Sequence, residues 1–181
     1  MPLPKEKRYT IEDILALPEG TRAELINGQM YMMAAPTSRH QRMVMRASGE
    51  IYSYIRSHDG NCEVFPAPYG VFLSDDTDFL EPDVSVICDP SKIDSQGCHG
   101  APDWVIEIVS PSSRGMDYMT KLFLYRAAGV REYWIVDPEK DRVTVYRFSP
   151  VDALNEVEEY SMRDPVPAGI YDNNLTITFG E

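Results

Sequence analysis

The sequence has few cysteines and lacks long apolar segments, and each of these features excludes some classes of protein. Cys62, Cys88 and Cys98 are odd in number and widely spaced, a pattern that predicts neither a disulfide framework nor a zinc site. No run approaches the ~18 apolar residues that a membrane span needs, and the N-terminus MPLPKEKRYT lacks the apolar stretch of a signal peptide. We therefore expect a reduced, cytoplasmic setting without a membrane partner.

Positive charge is also scarce. The 17 lysines and arginines are outnumbered by 29 aspartates and glutamates, which gives a net charge of −12. An acidic surface does not attract nucleic acid at long range, which counts against a nucleic-acid partner. A local basic face or a bound metal can offset this average. The sequence offers such a face in Arg39, Arg42, Arg46 and Arg114.

The chain has the size and composition of an ordinary folded domain. Its 181 residues are 43% hydrophobic and 25% charged, which allows a buried core and argues against disorder. The sequence shows no internal repeat, low-complexity tract or linker, so we expect residues 1–181 to form a single domain.

The order of apolar segments predicts an α/β domain built on a mixed sheet. Helices are expected after the N-cap Thr10, ending at Gly20, from about Arg39 to Ser57, and from about Met116 to Ala128 with Gly129 ending the last helix. Asn27-Gly28 is typical of a hairpin turn between two strands. Further strands are predicted in DVSVIC, WVIEIVS, REYWIVD, RVTVYRF, EVEEY and LTITF.

Glu107 places a carboxylate inside the hydrophobic strand WVIEIVS. Side chains alternate between the two faces of a strand, so Glu107 shares a face with Val105 and Val109. Asp83 opens the preceding strand, directly after Pro82. If the two strands pair, Asp83 and Glu107 can lie on one face near one end of the sheet.

Two carboxylates held close together repel each other and require a positive partner, either a proton or a divalent metal. Mg²⁺ or Mn²⁺ prefers hard oxygen ligands and takes only one or two protein carboxylates. Such an ion can activate a water for phosphoryl hydrolysis. Lys121 is a candidate electrostatic partner, although with Asp117 it could also form a simple exposed pair four residues apart on a helix.

These residues, in this order, resemble the PD-(D/E)XK nuclease superfamily and, more closely, the Uma-type (Uma-two) family of restriction-endonuclease-like proteins. The stretches that carry the resemblance run from Tyr9 to Phe148 and are AELINGQMYMMAAPTSRHQ, LEPDVSVI, WVIEIVSPSS, DYMTKLFLYRAAGVREYWIVDP and VTVYRF. Together they are specific, whereas Pro-Asp alone carries no information.

The resemblance implies a restriction-endonuclease-like core, in which helices flank a central mixed β-sheet. It also implies a divalent-metal site, for Mg²⁺ or Mn²⁺, made by Asp83 and Glu107. The superfamily lysine normally stands two residues after the second acid, where this chain has Val109. In the Uma-type family the lysine has moved to the following helix, and Lys121 is its match.

Three further residues match the family. Glu24 corresponds to an acid in the first hairpin and is either a third acid of the site or half of a cross-strand pair with a basic neighbour. His40 matches a histidine at a helix start and either orients a water or phosphate or lies on the surface. Asp117 is expected to orient Lys121.

Three functions are therefore open. The first is a metal-dependent endonuclease acting on nucleic acid, with DNA as the first candidate; a homodimer would allow two cuts on a duplex. The second is a catalytically inactive nuclease-fold module for binding or regulation, which the net charge and the missing strand lysine favour. The third is an acid–base pair as in glycoside hydrolysis, which the lack of aromatic residues around the acids disfavours.

Overall fold

The computed structural model describes residues 7–74, 76–111, 113–149 and 156–180. Its helices are α1 (Ile11–Leu15), α2 (Ser38–Ser57) and α3 (Leu122–Ala128), the last preceded without a break by π-helical turns at Met116–Lys121. Short 3-10 turns lie at Pro90–Lys92 and Gly169–Tyr171. The strands are β1 (Ala23–Ile26), β2 (Gln29–Met32), β3 (Glu63–Pro66), β4 (Val71–Phe72), β5 (Phe79–Leu80), β6 (Val84–Ile87), β7 (Cys98–His99), β8 (Trp104–Ile108), β9 (Glu132–Asp137), β10 (Arg142–Arg147), β11 (Glu156–Ser161), β12 (Val166–Pro167) and β13 (Thr176–Ile177).

The central sheet has six strands in the order β11-β10-β9-β8-β6-β3. β8 and β9 are parallel and are joined by the helix that ends in α3, while the remaining pairs are antiparallel. A second sheet has the order β2-β1-β5-β4-β7, and β12 pairs with β13. The mixed α/β architecture predicted from the sequence is therefore confirmed.

Helices cover both faces of the central sheet because its strands alternate their side chains. Trp104 and Ile106 of β8 pack in one cluster with the apolar stripe of α2, which includes Ala47 and Ile51. Val105 and other residues of the opposite face pack with the α3 residue Tyr125 and with the second sheet; the cluster also contains Ile26, Leu80, Val109, Tyr133 and Ile135. The predicted alternation along β8 is confirmed.

Most of the local predictions also hold. The β1–β2 hairpin turns at Asn27-Gly28, where both residues have the positive φ that this pair tolerates, 50° and 74°. α2 starts after Thr37, whose side chain accepts a hydrogen bond from the His40 backbone N–H. The prediction for α1 is wrong at its C-terminus, because the helix stops at Leu15 and Gly20 belongs to the turn that follows.

The prediction that the cysteines form no disulfide is wrong, because Cys62 and Cys88 are bonded to each other. β3 and β6 are antiparallel with Glu63 opposite Ile87, and one step further along this register the two cysteines face each other. Register between distant strands is not readable from cysteine spacing, which is why the bond was missed. Cys98 is free and buried. The cysteines therefore no longer argue for a reducing compartment.

Among residues 7–74, 76–111, 113–149 and 156–180, no helix has the length and apolar character to cross a bilayer. Residues 1–6, where the sequence shows no signal-peptide stretch, lie outside this part.

Candidate functional site

The pairing of β6 with β8 brings the two predicted metal ligands together. Val84 lies opposite Ile106, so one step further along the antiparallel register Asp83 lies opposite Glu107. Both residues line a cleft of about 540 Å³, together with Glu24, His40, Asp117 and Lys121. All the site residues predicted from the sequence therefore line one cleft.

Lys121 is at the centre of this cluster and is not an exposed helix residue. Its side chain is only 6% exposed, and its Nζ donates hydrogen bonds to Glu24 Oε1 and Glu107 Oε1, both at 2.9 Å. Asp117 Oδ1 lies 3.6 Å from the same nitrogen. Burial lowers the pKa of Lys121, but the charges of these carboxylates outweigh it and hold the pKa well above its ordinary value.

Glu24 reaches the site from the second sheet. It lies on β1, is buried, and accepts a further hydrogen bond from the Glu81 backbone N–H at 3.2 Å. Its cross-strand neighbour in β2 is Tyr31, not a basic residue. The alternative of a cross-strand ion pair is therefore wrong, and Lys121 is the cationic partner of Glu24.

Asp83 is held by two groups that act on the same oxygen. The Ile108 backbone N–H donates to Asp83 Oδ2 at 2.8 Å, and His40 Nε2 lies 3.0 Å from that oxygen. Burial lowers the pKa of His40, but the hydrogen bond to Asp83 and its charge raise the pKa by more, so the net shift is upward. His40 is thus half-buried in the cleft and is not a free surface residue.

The contact of Tyr125 with the site was not predicted from the sequence. The Tyr125 hydroxyl donates to Glu107 Oε1 at 2.9 Å and is fully buried. The available signal was its position four residues after Lys121, which puts both side chains on one face of the helix.

The buried charges of the cluster do not balance. Glu24, Glu107 and Asp117 surround one ammonium group, that of Lys121. Burial raises the pKa of Glu107 well above its ordinary value, and Lys121 offsets this only in part. Burial also raises the pKa of Asp117, and the charge of Lys121 offsets this rise only in part. A group of buried carboxylates in excess of its cation favours either a retained proton or a further cation.

The carboxylates have oxygens available for such a cation. Among the described residues, Glu107 accepts its side-chain hydrogen bonds at Oε1, and the carboxylate of Asp83 makes its hydrogen bonds through Oδ2. The second oxygen of each acid therefore remains a hard oxygen donor on a residue that lines the cleft. Within the same described ranges, no group of three or more His, Cys, Asp or Glu side chains forms a ready metal cluster.

The expected basic face lies only partly at the cleft. Arg39 lines it, as does Arg22, whose Nε is 2.6 Å from Glu81 Oε2. Arg46 instead donates to the backbone carbonyl of Gly180 at 2.8 Å, and Arg114 pairs with carboxylates outside the acidic cluster. The local positive charge near the acids is therefore small.

Comparison with known proteins assigns the chain to a family. Residues 11–177 match the family model Uma2, described as "Putative restriction endonuclease". The chain belongs to this family. The chain is 27% identical to the uncharacterised protein slr1290 and 26% identical to the uncharacterised protein sll1609, both from Synechocystis sp.. The match to slr1290 covers 68% of this chain and 64% of slr1290. The match to sll1609 covers 70% of this chain and 72% of sll1609.

A solved structure supports the fold of this Uma2 protein. A crystal structure from Anabaena variabilis, titled a putative nuclease belonging to DUF820, superposes with a TM-score of 0.74 and covers 94% of both chains. The sequence identity is 24%, so the likeness shows a shared fold. The resemblance to restriction-endonuclease-like proteins that the sequence suggested is thereby confirmed at the level of family and fold.

Proposed function

We propose that this Uma2 chain is a divalent-metal-dependent endonuclease that hydrolyses phosphodiester bonds in nucleic acid, with DNA as the first candidate substrate. The observation that carries the proposal is the buried cluster in which Lys121 bridges Glu24 and Glu107 beside Asp83. The family description and the shared fold with a structure titled a putative nuclease support the reaction class.

The residues present fit a hard divalent ion. Asp83 and Glu107 are the ligands we assign, through the oxygens that no side-chain or backbone donor occupies among the described contacts. Mg²⁺ and Mn²⁺ need only one or two such carboxylates, with water and phosphate completing the shell. When bound, the ion supplies a Lewis acid and lowers the pKa of a coordinated water.

The remaining side chains hold this arrangement and balance charge. Lys121 neutralises part of the acidic cluster and offers an ammonium group where negative charge develops on the phosphoryl oxygens. His40 and the Ile108 amide fix the orientation of Asp83, and Tyr125 fixes that of Glu107. Glu24 and Asp117 orient the ammonium group of Lys121.

The first experiment is Mn²⁺ binding by calorimetry, comparing the wild type with Asp83→Ala and Glu107→Ala. We expect binding in the wild type and loss in both variants, with unchanged binding in Glu19→Ala, an exposed acid away from the cleft. Cleavage of a plasmid, of single-stranded DNA and of RNA in Mg²⁺ or Mn²⁺, with and without chelator, tests the activity. Cleavage that survives both the chelator and Asp83→Ala would refute the proposal.

A second candidate is a nuclease-fold module that binds without cutting. It is favoured by the scarcity of free cations at the cleft, where Arg22 is already paired with Glu81. Retained nucleic-acid binding with no metal uptake and no cleavage would support it over the nuclease.

Three wider proposals accompany the first. Residues 1–181 are taken as one domain, the protein is taken to act in the cytoplasm, and a homodimer is the form that would give two cuts on a duplex. Light scattering of the purified protein tests the dimer, limited proteolysis tests the single domain, and cell fractionation tests the location.

A further inference from the structure

One part of the cleft lining is apolar and exposed, unlike the acidic cluster. β2 and the segment after it contribute consecutive residues to the lining: Tyr31, Met32, Met33, Ala34, Ala35 and Pro36. Tyr31 is 40% exposed and Met32 is 62% exposed. These side chains belong neither to the proposed metal ligands, Asp83 and Glu107, nor to the acid–lysine cluster.

The hairpin register puts Tyr31 beside Glu24, one member of the acidic cluster. Tyr31 lies directly opposite Glu24 in the β1–β2 pair. Residues directly opposite each other in an antiparallel pair project from the same face, with Cβ atoms about 5 Å apart. Glu24 in turn accepts the hydrogen bond from Lys121 at 2.9 Å. An exposed tyrosine in the cleft lining is therefore the cross-strand neighbour of Glu24, which contacts Lys121.

The charge around the cleft does not suit a ligand held mainly through its phosphates. Affinity for a duplex backbone comes chiefly from several lysines and arginines that displace counterions. This cleft offers Arg39 and the already paired Arg22, in a chain of net charge −12. Stacking of a base on an aromatic ring contributes about 1–3 kcal/mol of affinity that does not come from phosphate contacts.

The volume of the cleft also argues against a duplex ligand. At about 540 Å³, it falls within the range of pockets that enclose small-molecule ligands, roughly 300–1,000 Å³. A pocket of that size suits a single nucleotide unit that enters with its base unstacked, and does not suit an intact duplex.

We infer that the cleft binds an unpaired nucleotide, its base stacked on Tyr31 and its phosphate next to Lys121 and the acids, so that the substrate class is single-stranded nucleic acid. This inference rests on the proposed nuclease function for its biological meaning. Binding, however, can be measured without cleavage, and the two claims can therefore fail separately.

The test is fluorescence anisotropy with a labelled single strand of about 12 nucleotides, within the usual range of site sizes, and with a blunt duplex of the same sequence. Each is titrated in Mn²⁺ and in chelator, with a gel at the end to score cleavage. We expect the single strand to bind about tenfold tighter or more, equivalent to about 1.4 kcal/mol. Tyr31→Ala should weaken single-strand binding roughly five- to 150-fold, the range of one lost stacking contact.

Two variants serve as controls. Tyr31→Phe keeps the ring and should restore most of the affinity that Tyr31→Ala loses. Tyr52→Ala removes a tyrosine of similar exposure, 58%, from the outer face of α2 and away from the cleft, and should leave binding unchanged.

The outcomes separate the two claims. Equal or tighter binding of the duplex, an absence of single-strand binding, or a Tyr31→Ala variant with wild-type affinity would overturn the inference even if the protein cuts. Tyr31-dependent binding of the single strand without cleavage in Mn²⁺ would uphold the inference and reject the nuclease.

Discussion

At the scale of single residues, Lys121 has the most unusual environment in the described chain. It is buried, and its ammonium group contacts carboxylates carried by β1, by β8 and by its own helix. A buried ion is tolerated only when its partners remain, because an unpaired buried charge has lost its hydration without compensation. The lysine should therefore matter for stability as well as for chemistry.

Lys121→Met keeps the length of the side chain and removes the charge. We expect the free energy of unfolding to fall by about 3–5 kcal/mol, because Glu24, Glu107 and Asp117 lose their cation. Urea unfolding in the presence of a chelator measures this free energy of unfolding. Lys140→Met is the control: its side chain is 46% exposed and 3.8 Å from Asp137, so about 0–1 kcal/mol is expected. A loss below ~1 kcal/mol in Lys121→Met would contradict the ion-pair description.

Asp137, at the end of β9, allows a prediction about pH. Burial raises the pKa of its carboxyl, but the hydrogen bond and charge of Arg114 lower it by more, so the pKa lies below its ordinary value of 3.8. A carboxyl with a lowered pKa in the folded state stabilises the protein above the unfolded-state pKa and loses this contribution as the pH falls.

Asp137→Asn should therefore be less stable than the wild type at pH 7, by about 1.5–3 kcal/mol for a hydrogen bond to a charged group. The gap should narrow as the pH falls below 3.8, the ordinary pKa of the carboxyl. Urea unfolding at several pH values measures both curves. A gap that stays constant down to acid pH would mean that the charge of Asp137 contributes nothing.

At the scale of elements, the helix between β8 and β9 combines a predicted and an unpredicted feature. The sequence predicts a helix from about Met116 to Ala128, and the structure has one. Its first part, Met116–Lys121, is π-helical, and this is the segment that carries Asp117 and Lys121. Apolar periodicity near 3.6 cannot indicate the local change to i→i+5 bonding, although such turns are frequent at functional sites.

Two glycines give a matched pair of predictions for the helices. Gly129 ends α3 with φ 95°, whereas Gly49 is exposed inside α2, and a Cβ added at either position would meet no atom within 4 Å. Gly129→Ala should destabilise by about 1–2 kcal/mol through the left-handed backbone alone. Gly49→Ala should stabilise by about 0.5–1 kcal/mol through helix propensity. Thermal and urea unfolding measure both changes in stability. A result in which both substitutions stabilise the protein, or both destabilise it, would contradict the helix ends described.

At the scale of the whole molecule, the Cys62–Cys88 bond ties the edge strand β3 to β6, the strand that follows Asp83. It closes a segment with a sequence separation of 26. The chain-entropy relation gives about 3.5 kcal/mol for a loop of that length. Reduction should lower the free energy of unfolding by about this amount, and the double change Cys62→Ser with Cys88→Ser should do the same.

The bond itself is checked by counting thiols. The denatured, unreduced protein should show one free thiol, that of Cys98, and three after reduction. Three thiols before reduction would show that the bond does not form in solution, and the stability change on reduction should then vanish.

The sequence by itself determined the features that depend on neighbouring residues. Thr10 caps α1, Asn27-Gly28 turns the first hairpin, and the alternation along WVIEIVS sets which side of β8 carries Glu107. Caps, turns and alternation are decided by a few adjacent side chains and the local backbone, so a single sequence contains enough information to predict them. The motif order also sufficed for the family.

Only the tertiary structure decided which distant residues meet. The burial of Lys121, its contact with Glu24 and the hydrogen bond from Tyr125 follow from the packing of the two sheets against one helix. The disulfide follows from strand register, and a shift of one residue would have parted the two cysteines. Which distant strands and helices meet is a cooperative property of the whole chain, whereas the hydrophobic pattern and the turns constrain register only once two strands pair.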